Sequence, residues 1–150
     1  MPPTHRDLYA SFASHNVEYL VIGGIAAIIH GVPRMTLDLD ILIAATPDNA
    51  RATLQALRDA GMGTARLIEA EDLLAQDVTV FDDVLVVDVQ IRTPGLVFEE
   101  AWERRRAETI EGVRVNVVSL DDLIASKEAS DRPTDREALV ALRRLRSGEC

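Results

Sequence analysis

The run from Val17 to Ile43 constrains the fold more than any other part of the chain: an apolar segment stops at Gly23-Gly24, a short helical segment follows, and a second apolar segment carries Asp38 and Asp40. Side chains alternate along a strand, so carboxylates at Asp38 and Asp40 share one face, with Cα atoms roughly 6.5 Å apart. The alternation Leu37-Asp38-Leu39-Asp40 gives way to the unbroken Ile41-Leu42-Ile43, which puts the acidic pair at one end of an otherwise buried strand. A cleft is expected there. Gly23-Gly24 falls where strand hands over to helix. Bare backbone N–H groups and the helix dipole favour a phosphate at such a place, and glycine permits close approach.

Around this stretch the chain reads as a mixed set of helices and strands. Thr4, with Asp7 three residues on, predicts a capped first helix ending near Asn16. Val17–Ile22 reads as a strand, Ile25–Ile29 as a buried helix closed by Gly31, and Pro33 as forcing an extended approach to the aspartate strand. Thr46-Pro47-Asp48 starts a helix that Gly61 stops. Gly63–Gln76 suggests a short strand and then a helical turn or two. Val78–Phe81 and Val84–Ile91 read as a hairpin about Asp82-Asp83, with Asp88 interrupting the second strand. Leu96–Arg106 reads as a helix, and a hairpin follows across Glu111-Gly112. Two helices close the chain, Leu120–Ser130 and Asp135–Arg146, with Ser119 and Thr134 as caps.

The length of 150 residues fits one domain spanning 1–150. The lone cysteine, Cys150, allows no disulfide framework, which suits a reducing compartment. The longest apolar run, Tyr19–Ile29, is about half of a membrane span, and the first residues lack the apolar core of a signal peptide. The expectation is a cytoplasmic protein with no membrane partner. A net charge of −9 opposes capture of a phosphate backbone. Arg104-Arg105-Arg106 and Arg143-Arg144-Arg146 are the only basic clusters that could meet an RNA or an acidic partner. The histidines His5, His15 and His30 have no metal-ligand spacing.

If the Asp88 strand pairs beside the Asp38–Asp40 strand, about 4.8 Å away, three carboxylates converge. Three uncompensated carboxylates at a half-buried sheet edge are tolerated when a divalent cation neutralises them, and magnesium suits all-oxygen ligands. The plainer alternative puts Asp38 and Asp40 on the wet face of an edge strand. Lys127 falls on the same stripe as Leu120, Leu123 and Ile124, so it is aimed at the interior or snorkels outward from the stripe's end. Asp135, in the first turn of the last helix, stabilises the helix dipole.

Gly-Gly at the strand end, Gly31-x-x-Arg34-x-Thr36-x-Asp38-x-Asp40 and the later strand aspartate resemble the core of the nucleotidyltransferase superfamily that includes DNA polymerase β. Ser119-Leu-Asp-Asp-Leu-Ile-Ala-Ser-Lys127 with Arg132-Pro-Thr-Asp135 resembles its small bacterial AbiEii-like branch, found in toxin–antitoxin and phage-defence systems. The resemblance implies an α/β fold with a mixed sheet flanked by helices and two C-terminal helices. It implies two Mg2+ ions, replaceable by Mn2+, on Asp38, Asp40 and Asp88. A nucleoside triphosphate would bind at Gly23, Gly24, Arg34 and Thr36. Lys127 would act on it as a point charge, positioned by Asp135 with help from Arg132. The implied reaction moves a nucleoside monophosphate to a hydroxyl of a partner protein or a tRNA, with a cognate toxin or antitoxin as a further partner. A different class of function, a binding module of this fold without turnover, is the alternative. Gly24 departs from the serine usual in the superfamily.

Overall fold

The computed structural model describes residues 2–130 and 132–148, and of Thr134 the backbone alone; Cys150 lies outside the described residues. The helices are α1 (His5–Ser14), α2 (Gly23–His30), α3 (Pro47–Asp59), α4 (Ala70–Leu74), α5 (Phe98–Glu103), α6 (Leu120–Ser130) and α7 (Pro133–Ser147). The strands are β1 (Tyr19–Ile22), β2 (Leu39–Ile43), β3 (Val78–Asp82), β4 (Val86–Gln90), β5 (Arg106–Ile110) and β6 (Val113–Val117). They form one sheet in the order β3-β4-β2-β1-β6-β5. It is mixed: β1 runs antiparallel to β2 and parallel to β6, β2 is parallel to β4, and the outer hairpins β3–β4 and β5–β6 are antiparallel.

Local chemistry sets the element ends. Thr4 and Asp7 form a reciprocal capping box on α1, and Thr46 accepts from the Asn49 N–H with Pro47 at the first position of α3. The Ser119 hydroxyl accepts from the Asp122 N–H and caps α6. Asn49 ties α3 to the strand ends by accepting from the Glu18 N–H and donating to the Glu18 and Ala44 carbonyls. The strands are short and central ones are almost wholly buried: Leu20, Val21, Ile41, Ile43, Val87 and Val89 are within 1% of full burial. Pairing every buried backbone group in a ladder allows that burial.

Several elements differ from the sequence reading. Residues 63–67 form a 3₁₀ turn, not a strand. The helix expected over Leu96–Arg106 covers only Phe98–Glu103, because Arg106 already pairs with Val117 as the first residue of β5. Thr134 is not the cap of the last helix: Pro133 takes its first position, leaving Arg132 at the cap with no side-chain bond to the helix N–H groups. The second strand begins at Leu39, so Asp38 precedes it.

α6 and α7 pack on each other and against α2. This brings the C-terminal helices to the same end of the sheet as Gly23 and Asp40. No helix among the described residues is long and apolar enough to cross a membrane.

Candidate active site at the Asp40 end of the sheet

Register places the acidic residues. Asp40 lies opposite Ile22 of β1 on one side and opposite Asp88 of β4 on the other. Both carboxyls are half-buried and within hydrogen-bonding reach of one another. Burial first, then the charge of Asp88, the hydrogen bond to it and the charge of Asp38 push the Asp40 carboxyl up to about 7, while the Lys127 charge opposes the rise. Four of the expected residues therefore sense one another.

Asp38 is the exception in geometry. It is exposed and lies one residue before the ladder, in the extended segment that follows Pro33. Among the described residues no group of three or more His, Cys, Asp or Glu side chains is gathered so that it could hold a metal ion. The expected convergence of three carboxylates is thus a contacting pair, Asp40 and Asp88, with Asp38 acting on it through charge. The physical reason is that strand alternation fixes direction only for residues inside the ladder.

Gly23 opens α2 with φ +67°, and a Cβ there would collide with the Asp40 carboxylate. Only glycine meets both demands. Gly24 is packed differently: a Cβ would sit 3.0 Å from the Thr36 Cγ2 and 3.6 Å from the Arg34 Cζ. Arg34, exposed, and Thr36, half-buried, thus close over Gly24 from the extended segment. A serine at this position would have to displace the Thr36 methyl.

The third component comes from α6 and α7. Lys127 and Asp135 are both buried, with Nζ donating to Oδ1 at 3.2 Å. Asp135 also accepts from the Arg132 Nε at 2.9 Å and from the Ser130 hydroxyl. Burial raises the Asp135 carboxyl, but the bonds from Ser130, Arg132 and Lys127 together outweigh it and hold the group at about 2. A cleft of ≈ 370 Å³ is lined by Gly23, Asp40, Lys127, Arg132 and Asp135, and also by Gln90, Thr93, Ser126 and Ser130. Those last four were not singled out from the sequence. The Thr93 hydroxyl donates to Gln90 Oε1 at 2.6 Å, a short-range pair that no motif announces.

His30, at the end of α2, donates from Nε2 to the Val118 carbonyl at 2.8 Å, which makes it a packing residue there. The basic clusters are largely spent within the chain. Arg104 forks onto Asp122, Arg106 meets Glu108, Arg143 meets Glu128 and Arg146 lies 3.9 Å from Asp121.

A mixed sheet with a glycine-opened helix and an aspartate strand at one end is the arrangement of nucleotidyltransferases. The chain belongs to the family described as "Nucleotidyltransferase of unknown function (DUF6036)", whose sequence pattern matches residues 8–143. No curated protein matches the chain. Among solved structures, the fold is similar to that of the lincosamide antibiotic adenylyltransferase LnuA with lincomycin bound. The TM-score is 0.58 at 15% identity, over 97% of this chain and 99% of that one. It is also similar to a Thermotoga maritima protein assigned to the nucleotidyltransferases, with TM-score 0.51 at 14% identity, over 97% and 86% of the two chains.

Proposed function

We propose that the protein transfers a nucleoside monophosphate from a nucleoside triphosphate to a hydroxyl acceptor, with Mg2+ held by Asp40 and Asp88 and favoured by the nearby charge of Asp38. The observation that carries this reading is the contact between Asp40 and Asp88 on adjacent parallel strands, directly against the helix-opening Gly23. Two half-buried carboxyls in contact, all-oxygen in donor chemistry and with one pushed up to about 7, fit a divalent cation in place of the shared proton. When bound, magnesium would supply charge neutralisation at the phosphates and a lowered pKa at the attacking hydroxyl.

The chain's own groups do the rest. Gly23, the first residue of α2, lines the cleft, and the unpaired N–H groups of a helix start favour phosphate oxygens. Lys127 and Arg132 line the same cleft and offer positive charge to the triphosphate, with Asp135 setting their direction. Arg34 and Thr36, packed over Gly24, are the further residues that this reading assigns to the triphosphate. The AbiEii-like run supports the assignment of Lys127 and Asp135 to nucleotide handling and suggests a toxin–antitoxin setting.

One observation favours the second reading, a binding module without turnover: Asp38 stands outside the strand and no three-carboxylate group is gathered. Incubation with α-labelled triphosphates, Mg2+ and a lysate or tRNA separates the two. Label transferred by the protein and lost in Asp40→Asn supports the transferase; nucleotide binding with no label transferred under any acceptor contradicts it.

A further inference from the structure

A second groove adjoins the candidate nucleotide cleft and shares Gln90, Thr93 and Pro94 with it. It has a volume of ≈ 690 Å³. Its position follows from the pleat. Asp88 and Gln90 share one face of β4, and across from them lie Val80 and Val78 of β3 and Asp40 and Leu42 of β2. The opposite face carries Leu39, Ile41, Phe81, Val87 and Val89, all buried. The Asp88 face is uncovered toward β3, where Val78 is 42% and Val80 56% exposed. The chain after β4 turns up beside this face and walls it.

The groove's lining is apolar: Leu42, Val78, Ile91, Leu96, Val97 and Phe98. Its charged residues are Asp77, Arg92 and Glu99, and Arg92 faces Asp77 at 3.8 Å, so the rim keeps a net negative charge. No other basic residue lines it. A nucleic-acid acceptor would bring phosphates to an acidic, oily trough, which costs both desolvation and repulsion. A volume of this order matches a small organic molecule, and an apolar wall with few polar groups is the usual lining for one.

Resting on the transferase reading above, we propose that this groove is the acceptor site and that its occupant is a small amphipathic alcohol carrying a positive charge. Its apolar body lies on Val78, Leu96, Val97 and Phe98, its cation meets Asp77 and Glu99, and its hydroxyl lies at the Gln90–Thr93 pair, one step along β4 from Asp88. Gln90 and Thr93 are positioning residues there, with the Gln90 amide N–H groups available to the hydroxyl oxygen. In the reaction the hydroxyl oxygen forms a bond to the α-phosphorus, the bond from that phosphorus to the oxygen bridging to the β-phosphate breaks, pyrophosphate leaves with the electron pair, and the hydroxyl proton passes to water.

The test uses the whole chain and three probes of matched alkyl length: N-octylethanolamine (cationic), octyl glucoside (neutral) and 2-hydroxydecanoate (anionic). Amide NMR shifts without nucleotide report the groove, and transfer from α-labelled triphosphate reports the reaction. The cationic probe should shift residues 78 and 90–99, bind roughly tenfold tighter than the anionic one, and accept label. Val97→Arg and Val78→Arg, both at exposed positions, should each weaken its binding about tenfold while leaving triphosphate affinity unchanged. No shifts in the groove, equal binding of the anionic probe, or label passing only to tRNA or to a peptide overturns the proposal. Triphosphate binding without amphiphile binding removes the groove alone. Amphiphile binding without any triphosphate binding removes the transferase reading beneath it.

Discussion

The two charged clusters of the nucleotide cleft are built on opposite principles. At the end of α6 and α7, Asp135 is buried but fully answered by Lys127, Arg132 and Ser130, and its carboxyl sits at about 2. At the end of β2 and β4, Asp40 is half-buried against another carboxyl, and its own has risen to about 7. One cluster is neutralised by its own partners; the other keeps its like charges in contact, and this favours the protonated form. A protein has no folding reason to keep the second, because repelling carboxyls beside a sheet subtract from stability. The contrast teaches that the α6–α7 side is settled by its own partners, whereas the β2–β4 side carries like-charge repulsion that the proposed Mg2+ would relieve.

The largest expected effect breaks the acidic side. Asp40→Asn should reduce transfer on the order of a thousandfold, since several kcal/mol of charge stabilisation depends on the ion and each ~1.4 kcal/mol is tenfold. The same substitution should raise the melting temperature of the metal-free protein, because it removes the like-charge contact. A lowered melting temperature would mean that the pair is structural.

Next comes Lys127→Met, on the answered side. Removing one partner of a buried ion pair costs about 3–5 kcal/mol, here at the lower end because Arg132 and Ser130 still hold Asp135. Chemical denaturation measures this. The double variant Lys127→Met/Asp135→Leu should recover much of that stability and none of the triphosphate affinity, which should stay down at least about tenfold. Recovery of both would make the pair scaffold only.

Gly23→Ala joins the two sides, since the added Cβ strikes the Asp40 carboxylate and the left-handed φ is unsuited to alanine. A stability loss of about 1–3 kcal/mol is expected, with activity falling further than stability. Unchanged activity would show that the Asp40 position is not critical.

The smallest effect, and the sharpest on the comparison, is in pH. Asp40 has a folded pKa above its unfolded value near 4, so the folded protein binds the extra proton between about pH 4 and 7. Its contribution is present below about pH 4 and is lost as pH rises through 7. Asp135 has a folded pKa below its unfolded value, so its contribution is present above about pH 4 and is lost as pH falls toward 2. Metal-free protein should therefore lose melting temperature on both sides. Asp40→Asn should flatten the limb between about pH 4 and 7 alone, and Asp135→Asn should alter the limb below about pH 4 alone. A single variant that moved both limbs would contradict their independence.

Much of this is legible in the sequence. The strand pattern puts Asp40 and Asp88 on two strands whose pairing it leaves as a condition, the capping boxes mark α1 and α6, and the apolar stripe allows Lys127 to point inward. What was hidden is what depends on partners far along the chain. Asp38 reads like Asp40, yet the ladder starts one residue later, and only pairing with β4 decides that. Thr134 reads as a better cap than Arg132, yet Pro133 fixes the first helical position. Ser130, Gln90 and Thr93 join the cleft through side-chain hydrogen bonds that leave no periodic trace. The Arg104–Arg106 run looks uniform, but one residue forks onto α6, one stacks on Trp102 at 3.8 Å and one begins a strand.

The most direct test of the proposed metal dependence is calorimetric titration of a non-hydrolysable nucleoside triphosphate analogue into the protein, once with Mg2+ and once with chelator. The account predicts binding with Mg2+ that Asp40→Asn abolishes, and almost no heat in chelator, because Asp40 and Asp88 repel the phosphates until a cation intervenes. Equal affinity in both conditions would contradict it.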